Sequence, residues 1–395
     1  MGKRIGEAEA EVELAASILD YYADNAATFL KPKTLPNVAT AQVSIEPIGA
    51  ILGIAPWNFP FYQVARVAGP QLMAGNVLVL KHAENVPQAA LALARLFADA
   101  GAPHGVYTNL FAGIEQIGTA ISDPRIRGVT ITGSERAGAA VAEQAGRALK
   151  KVVAEMGGSD PLIVLEDAPL AAALDGAVFG RMFNNGQCCV GSKRIIVVGR
   201  QRAAAFLDGF VERLAALRAD NPMNPQTTLA PVASETALNR LLDQIGQAKQ
   251  AGAQIALGGK RLARPGYFLQ PTVITGIDEH NPAFNQELFG PVAAFHAVDN
   301  AEQAIALANA TPYGLGASVF TADIARGRAV AAQIDCGMVF VNQPVWTAPQ
   351  LPFGGVKNSG FGRELAERGF YEFVNEKLIN LAPAGACLWG QAALD

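Results

Sequence analysis

Two adjacent cysteines, Cys188 and Cys189, stand in the segment FNNGQCCVGSKR of a chain that has four cysteines in all. Three kinds of chemistry are open to such a pair: a vicinal disulfide, half of a metal site, or one reactive thiolate with a passive neighbour. A thiolate is a strong nucleophile where its surroundings favour the anion. Cys189 follows a turn rich in glycine and asparagine, and we expect it just before a helix start, where backbone N–H groups stabilise negative charge. The segment alone also fits a buried structural cysteine.

The disulfide and the metal site are the weaker alternatives. Adjacent cysteines can bridge only through a strained ring, because the usual disulfide needs Cα atoms about 5 to 6 Å apart. The four histidines, at positions 82, 104, 280 and 296, do not stand at ligand spacing from the cysteines. The sequence therefore does not predict a zinc site.

Two further side chains have types suited to carbonyl chemistry. Asn58, in PWNFP, has an amide that could hold an oxyanion. Glu155, in EMGGSDP, could act as a general base beside flexible glycines. Taken singly, Asn58 also fits an ordinary turn residue and Glu155 an ordinary surface acid.

The surrounding pattern predicts elements that could bring these side chains together. From Ile45 to about Met156, apolar runs such as GAILGIA, NVLVLK and IRGVTIT alternate with helical patterns. Continuous apolar strands between helices predict a doubly wound parallel sheet, which binds ligands at the carboxyl ends of its strands. The pattern restarts just after Gly158, with apolar runs such as VAAFHAV as strands, and predicts a second α/β domain. The first segment, MGKRIGEAEAEVELA, is typical of a charged amphipathic helix.

Composition limits the classes of partner and compartment. The chain has 395 residues, 50% of them hydrophobic, with a net charge of −4 and no basic run, so neither nucleic acid nor an anionic membrane surface is an expected partner. No apolar stretch is long enough to span a bilayer. The cysteines do not form a disulfide framework, which favours a reducing cytoplasm.

Seven motifs, in order along almost the entire chain, resemble the NAD(P)-dependent aldehyde dehydrogenase superfamily. They are PWNFP (56–60), LKHAEN (80–85), TGS (132–134), EMGGSDP (155–161), NGQCC (185–189), ELFGPV (287–292) and FGGVKNSGFGRE (353–364). Within the superfamily, the chain is most similar to the bacterial succinate-semialdehyde dehydrogenases. Family members usually carry further helices before the segment that begins here at Met1. The absence of these helices would affect the stability of the protein and its binding of adenosine.

The resemblance implies an α/β fold of the aldehyde dehydrogenase type, with a Rossmann-type cofactor domain, an α/β catalytic domain and a small oligomerisation element. The cofactor domain would comprise residues 1–33, 48–157 and 357–370, and the catalytic domain residues 158–356. Residues 34–47 and 371–395 would form an oligomerisation hairpin and a C-terminal strand. A homodimer or homotetramer is the expected assembly, although a plain surface hairpin fits the pattern equally well.

The resemblance also implies roles for individual residues. Cys189 would be the nucleophile and Cys188 a small packing residue. Glu155 would be the general base, and Asn58 the oxyanion donor together with the Cys189 backbone N–H. The cofactor-binding residues would be Pro56, Trp57, Lys81, Glu84, Gly133, Ser134, Glu287 and Phe289, and no metal ion is expected.

We expect NAD as the preferred cofactor, with NADP possible. Glu84, three residues after Lys81, could accept hydrogen bonds from a ribose 2′-OH and would repel a 2′-phosphate. The implied reaction is oxidation of an aldehyde to its carboxylic acid through a thiohemiacetal and a thioester on Cys189, with hydride passing to the nicotinamide.

The expected substrate is succinate semialdehyde. Arg66, two helical turns beyond Asn58, is expected to bind its carboxylate. Arg181 could assist, or could simply face solvent. A salt bridge to a neighbouring helix is the alternative role for Arg66. One alternative concerns the substrate, which could be an aromatic or other ω-carboxy aldehyde. The other concerns the function, because the chain could be a catalytically impaired cofactor-binding relative. The aromatic residues that favour the first alternative are Trp57, Phe61, Tyr62 and Phe183.

Overall fold

The computed structural model describes residues 1–36, 38–382 and 384. The first part of the chain, in order, consists of α1 (Ile5–Phe29), β1 (Lys33–Leu35), β2 (Val38–Pro47), β3 (Ala50–Ala55), α2 (Tyr62–Met73), β4 (Val77–His82), α3 (Pro87–Asp99), β5 (Tyr107–Asn109), α4 (Ile114–Ser122), β6 (Ile126–Thr132), α5 (Glu135–Arg147) and β7 (Lys151–Glu155).

The second part consists of β8 (Pro161–Val164), α6 (Leu170–Met182), β9 (Arg194–Val198), α7 (Arg200–Ala215), α8 (Glu235–Gln250), β10 (Gln254–Leu257), β11 (Thr272–Thr275), β12 (Val292–Val298), α9 (Ala301–Asn309), β13 (Tyr313–Gly314), β14 (Gly316–Phe320), α10 (Ile324–Ala331), β15 (Met338–Val341), β16 (Val356–Lys357), β17 (Gly360–Phe361), α11 (Ala366–Phe370) and β18 (Val374–Asn380). Short 3-10 helices lie at Phe183–Gly186, Pro282–Asn285 and Tyr371–Phe373.

The first large sheet has six strands in the order β17-β7-β6-β3-β4-β5. Strands β3 to β7 are parallel, and β17 returns from late in the chain to pair antiparallel with β7. The parallel strands all end at one edge of the sheet. PWNFP follows β3, TGS spans the end of β6, and Glu155 is the last residue of β7. The predicted parallel sheet therefore brings these motifs to a common edge.

The second large sheet has seven strands in the order β10-β11-β12-β9-β8-β14-β15. Only β10 is antiparallel to its neighbour. Every residue of β8 and β9 is buried, as expected for central parallel strands with both faces covered. The predicted strand VAAFHAV is β12 in full, whereas the sequence pattern did not predict α8 or β11.

Helix α1 is more deeply packed than a charged amphipathic surface helix would be. Ile18 and Tyr22 are fully buried against α2. The close approach requires glycine at position 69, because a Cβ atom there would lie 2.8 Å from Tyr22 Cδ2. Glu7 and Glu11 are buried as well, so part of the charged pattern faces inward.

A small antiparallel sheet, in the order β1-β2-β18, joins the segment after α1 to a strand late in the chain. Strand β18 pairs along β2, with Lys377 opposite Ser44. Its role in oligomerisation, like the boundaries of the predicted domains, stays a prediction. The segments predicted to form the oligomerisation element, 34–47 and 371–395, are not described in full. The residues outside the description are Asn37, Pro383 and 385–395. In the described part of the chain, no helix is both long and apolar enough to cross a membrane.

Candidate active site

A cleft of about 200 Å³ opens at the carboxyl edge of the first sheet and faces the loops of the second. Nine of the residues singled out from the sequence line this one cleft: Pro56, Trp57, Asn58, Gly133, Ser134, Glu155, Cys189, Glu287 and Phe289. The predicted catalytic residues therefore share one space with most of the predicted cofactor residues.

The loop that carries the cysteines is shaped by two asparagines. Asn184 and Asn185 have φ values of 51° and 55°, in the left-handed region that asparagine tolerates better than most residues. The turn lets Asn184 Nδ2 donate to the carbonyl of Asn58 at 3.0 Å and to that of Gln187 at 3.1 Å. The expected helix start after Cys189 is not there, because the loop leads directly into strand β9. Any stabilisation of a Cys189 thiolate must therefore come from neighbouring charges and individual N–H groups.

Cys188 and Cys189 are free thiols, and each affects the pKa of the other. The pKa of Cys188 is lowered, first because the Cys189 thiol donates to its sulfur. The pKa of Cys189 is raised well above its usual value, first by the same hydrogen bond and then by burial. The pair thus loses its first proton readily and its second with difficulty. With the proton on Cys189, this thiol must lose the proton before its sulfur can attack a carbonyl as the thiolate.

Asn58 is buried and held from both sides of its amide. Its Oδ1 accepts from Gln63 Nε2 at 3.1 Å, and its Nδ2 donates to the Gln187 carbonyl at 3.1 Å. An amide nitrogen has two N–H groups, so one remains for an oxygen in the cleft. Among the described residues, the Cys189 backbone N–H has no hydrogen-bond acceptor. Two free donors therefore belong to residues that line the cleft together, and an oxyanion site needs such donors.

Glu155 is buried, and neither of its carboxylate oxygens has a hydrogen-bond partner in the described structure. Burial raises its pKa well above the usual value, and the nearby Glu364 carboxyl adds to the increase. A buried carboxyl with a raised pKa and free oxygens at the edge of a cleft suits a general base.

A second cavity, of about 370 Å³, meets the cleft at Cys189 and Gln63, which line both. Six aromatic rings contribute to its wall: Phe59, Tyr62, Phe179, Phe183, Trp346 and Phe353. Helix α1 supplies one side, with Glu11, Glu13, Leu14 and Ser17 among the lining residues. The lining contains no lysine or arginine. Its form suits an aldehyde that reaches the Cys189 sulfur from the side opposite the cleft.

The two arginines expected to bind a carboxylate do not line this cavity. Arg66 is fully buried behind Tyr62, with its Nε 2.7 Å from Glu364 Oε2. Its main contact is therefore a salt bridge, as in the alternative role, but the partner lies between β17 and α11 and not on a helix. Arg181 is fully buried below the cysteine loop, where it donates to the carbonyl of Gly186. Sequence spacing placed Arg66 on the correct helix but could not show which neighbour its guanidinium would meet.

The cleft has features that fit a dinucleotide. Ser134 caps α5, with its Oγ accepting from Ala137 N, and the other N–H groups of this helix start can bind phosphate. Trp57 and Phe289 form an edge-to-face pair at 5.8 Å across the cleft. The Glu287 carboxylate is partly exposed beside them.

Two of the predicted cofactor residues lie outside this cleft. Lys81 is near the end of β4, at the same sheet edge, and Glu84 is exposed in the turn that follows. Their contact with an adenosine ribose stays a prediction. The described residues contain no cluster of acidic, histidine or cysteine side chains arranged to hold a metal ion.

Several residues that the sequence analysis did not assign also shape the site. Glu7 accepts from the Asn184 backbone N–H at 3.1 Å. Glu11 accepts from the N–H groups of Phe61 and Tyr62, at 2.8 and 3.1 Å, directly after PWNFP. The others are Gln63 and Asn184 beside Asn58, Arg240 on the cleft wall and Lys193 beneath the cysteine loop. A turn rich in asparagine signalled Asn184, but nothing local distinguished Glu7 from a solvated acid.

The family model described as the aldehyde dehydrogenase family matches residues 1–379, and the chain belongs to this family. A succinate-semialdehyde dehydrogenase [NADP(+)] from Deinococcus radiodurans is 49% identical over 388 residues, which cover 97% of this chain and 80% of that protein. The crystal structure of a succinic semialdehyde dehydrogenase from Streptococcus pyogenes, in complex with NADP+, is 43% identical with a TM-score of 0.95, over 96% of this chain and 84% of that one. The structure of Gox0499 is 51% identical with a TM-score of 0.94, over 96% and 83% of the two chains.

The predicted fold and the predicted class, an enzyme that oxidises an aldehyde to its acid, are confirmed. The expected preference for NAD is not supported, because the Deinococcus relative is named as an NADP(+) enzyme and the Streptococcus structure contains NADP+. The roles of the individual site residues stay predictions.

Proposed function

We propose that this chain oxidises an aldehyde to its carboxylic acid with NADP+, using Cys189 as the nucleophile. The observation that carries the proposal is the position of Cys189, where the aromatic cavity meets the cleft. A sulfur at this junction can reach a carbonyl in the cavity while the substrate hydrogen faces the cleft. Cys188 is buried and lines only the cavity.

The chain's own groups supply the remaining steps. The free N–H of the Asn58 amide and the Cys189 backbone N–H would hold the thiohemiacetal oxyanion. Ser134, Trp57, Glu287 and Phe289 would hold the cofactor, which accepts hydride when it is bound. The resulting thioester on Cys189 would be cleaved by a water that gives its proton to Glu155. The free oxygens of Glu155 support this role.

We propose NADP rather than NAD as the cofactor, by analogy with the relatives. Lys81 is the cation at the end of β4 that could pair with a 2′-phosphate, whereas Glu84 would weaken that contact by repulsion. The two residues give opposite expectations for variants. Lys81→Met should lower kcat/KM for NADP more than for NAD. Glu84→Ser should raise kcat/KM for NADP. Equal effects of Lys81→Met on both cofactors would contradict this assignment.

Succinate semialdehyde is the proposed substrate, on the strength of the relatives' names. In the cavity, the hydroxyl of Tyr62 donates to Thr347 Oγ1 at 2.8 Å, and Arg66 Nη1 stands 3.5 Å behind Tyr62 Oη. Both hydroxyl-bearing residues line the cavity. We propose that the Thr347 hydroxyl binds the substrate carboxylate and that Arg66 acts through Tyr62, without direct contact.

The aromatic wall supports a second candidate, an aromatic or other apolar aldehyde. A cavity without a lining cation gives no direct charge pairing to a carboxylate, while the rings can stack on an aromatic substrate. The two candidates differ in whether activity depends on the hydroxyl of Thr347.

The deciding experiment compares kcat/KM for succinate semialdehyde, butanal and benzaldehyde in wild type, Thr347→Val and the control Thr347→Ser. A hydrogen bond to a charged group contributes about 1.5 to 3 kcal/mol, so Thr347→Val should cost about tenfold or more with succinate semialdehyde alone. Thr347→Ser keeps the hydroxyl and should keep the activity. Higher activity with benzaldehyde, unaffected by Thr347→Val, would favour the aromatic substrate instead.

Two coarser expectations accompany this proposal. The small β1-β2-β18 sheet is the proposed contact between subunits of a homodimer or homotetramer. A reducing cytoplasm is the proposed compartment, because the three cysteines in the described part of the chain are free thiols.

A further inference from the structure

Lys193 lies beneath the cysteine loop, immediately before strand β9, and its side chain is fully buried. Its ammonium donates to the carbonyl of Cys188 at 2.9 Å and to the carbonyl of Cys189. The same nitrogen is 3.2 Å from Glu287 Oε1. Two of its three N–H donors thus bind the cysteine carbonyls, and Glu287 supplies the counter-charge.

The Glu287 contact gives this arrangement a link to the cofactor cleft. Glu287 lines the cleft, and its Oε1 also accepts from the Gly158 backbone N–H at 3.1 Å. The carboxylate lies so close to the backbone that a Cβ atom at Gly157 would be 2.2 Å from Oε2. Glu287 is thus shared between the cleft, the glycines after β7 and the buried Lys193.

A buried ammonium is costly unless a counter-charge and hydrogen-bond acceptors compensate it. When Glu287 turns toward a hydroxyl in the cleft, Lys193 loses part of this compensation. Its remaining acceptors are the two cysteine carbonyls, and the buried Asp160 carboxyl is a further neighbour that interacts with its charge. A change at Glu287 must therefore alter how strongly Lys193 holds the backbone of the thiol pair.

We propose that Lys193 is a positioning residue that couples the state of Glu287, and with it the occupancy of the cofactor cleft, to the placement of Cys188 and Cys189. Through this coupling, binding in the cleft changes the contact between the two thiols and thereby the reactivity of Cys189. The inference rests on the proposed function, because it takes Cys189 as the nucleophile and Glu287 as a cofactor-binding residue.

The test measures the rate at which iodoacetamide alkylates Cys189, with and without saturating NADP, with the modified residue identified by peptide fragmentation. No aldehyde is present, so the result does not depend on the substrate assignment. In wild type, NADP should change the rate at least about fivefold, the lower end of typical coupling between linked sites. In Lys193→Met the ratio of the two rates should approach one, while NADP still binds in a direct titration.

Arg194→Met is the matched control. Arg194 is also a buried cation bound to backbone carbonyls, those of Ser159, Leu307 and Ala308, but it does not contact Glu287. Its loss should lower stability and leave the NADP effect on alkylation in place. Loss of the effect in this variant too would assign it to general loosening and overturn the proposal.

Glu287→Gln provides a second variant that leaves Lys193 intact. It removes the counter-charge at the other end of the link, and at saturating NADP it should also reduce the alkylation ratio. The coupling would be overturned if either Lys193→Met or Glu287→Gln kept the wild-type ratio of alkylation rates with and without NADP. It would also be overturned if NADP did not change the alkylation rate of wild type. Failure of NADP to bind wild type would contradict the proposed function and the coupling together.

Discussion

At the scale of single residues, buried polar atoms without partners point to a reacting group only where the residue also lines the cleft. Glu155 does so, whereas Asp160, whose two oxygens also lack partners in the described structure, does not. Glu155 has two buried oxygens without a partner, whereas Arg66 contacts Glu364, Tyr62 and Thr132. Buried groups without partners cost free energy, so two free oxygens on a residue that lines the cleft suit a function there. The pattern favours Glu155 as a reacting group and Arg66 as a residue that acts through its neighbours.

The thiol pair gives the first prediction. Cys189→Ala should abolish aldehyde oxidation, and Cys188→Ala should retain most of it. Cys188→Ala also removes the hydrogen bond that is the main cause of the raised pKa of Cys189. The pKa of Cys189 should therefore fall in this variant, and the pH profile of its alkylation should move to lower pH. An inactive Cys188→Ala variant with an intact fold, or an unmoved profile, would contradict the assignment.

The second prediction concerns Glu155 and pH. Because its pKa is raised, the carboxyl keeps its proton to a higher pH than an ordinary glutamate and gains base activity as pH rises through that pKa. The kcat of wild type should therefore increase from neutral to alkaline pH. Glu155→Gln should lower kcat by about a hundredfold or more and remove this increase. A kcat that falls over this range in wild type, or a pH profile unchanged in Glu155→Gln, would count against Glu155 as the base.

At the scale of elements, α1 supports the active site through two buried carboxylates one turn apart. Glu7 binds the cysteine loop and Glu11 binds the segment after PWNFP, and Lys3 and Arg4 pair with them. The helix therefore connects the loop of the nucleophile with that of the oxyanion donor.

The third prediction follows from this helix. Glu11→Leu should lower the free energy of unfolding by about 3 kcal/mol, because it leaves a buried Lys3 and two backbone N–H groups unpaired. It should also raise KM for the aldehyde, since Glu11 lines the cavity. Glu9→Leu, at an exposed position of the same helix, should change stability by less than about 0.5 kcal/mol. Urea titration and steady-state kinetics measure both quantities, and similar results for the two variants would refute the role of Glu11.

Local sequence predicted elements well where burial is complete on both faces. Strands β6 and β12 match their predicted segments residue for residue, because a central parallel strand is a short continuous apolar run. The motif positions at strand ends followed from the same topology. Local sequence could not predict the inward-facing acids of α1 or the pairing of Arg66 with Glu364, because each depends on partners from distant parts of the chain. The prediction of a helix after Cys189 was wrong for a similar reason. The backbone geometry of the asparagines and the hydrogen bonds of their side chains shape that turn instead.

At the scale of the whole molecule, the small sheet of β1, β2 and β18 is the proposed subunit contact. Strand β18 is mostly exposed, and Leu378 on it is 59% exposed. An exposed strand with an apolar side chain is a template for pairing with another chain.

The fourth prediction is that Leu378→Glu shifts the protein toward smaller species in light scattering, because a buried interface disfavours an unpaired charge. Glu376→Gln, on the same exposed strand, should leave the mass unchanged. A monomeric wild type, or a Leu378→Glu variant with the wild-type mass, would exclude this strand as the contact.

The central claim is that Cys189, at the junction of cavity and cleft, carries out NADP-dependent aldehyde oxidation. The most direct measurement is the initial rate of NADPH formation from succinate semialdehyde in wild type and in Cys189→Ala of verified fold. The account predicts steady formation of NADPH in wild type and none above background in the variant. No NADPH from wild type, or an undiminished rate in Cys189→Ala, would contradict it.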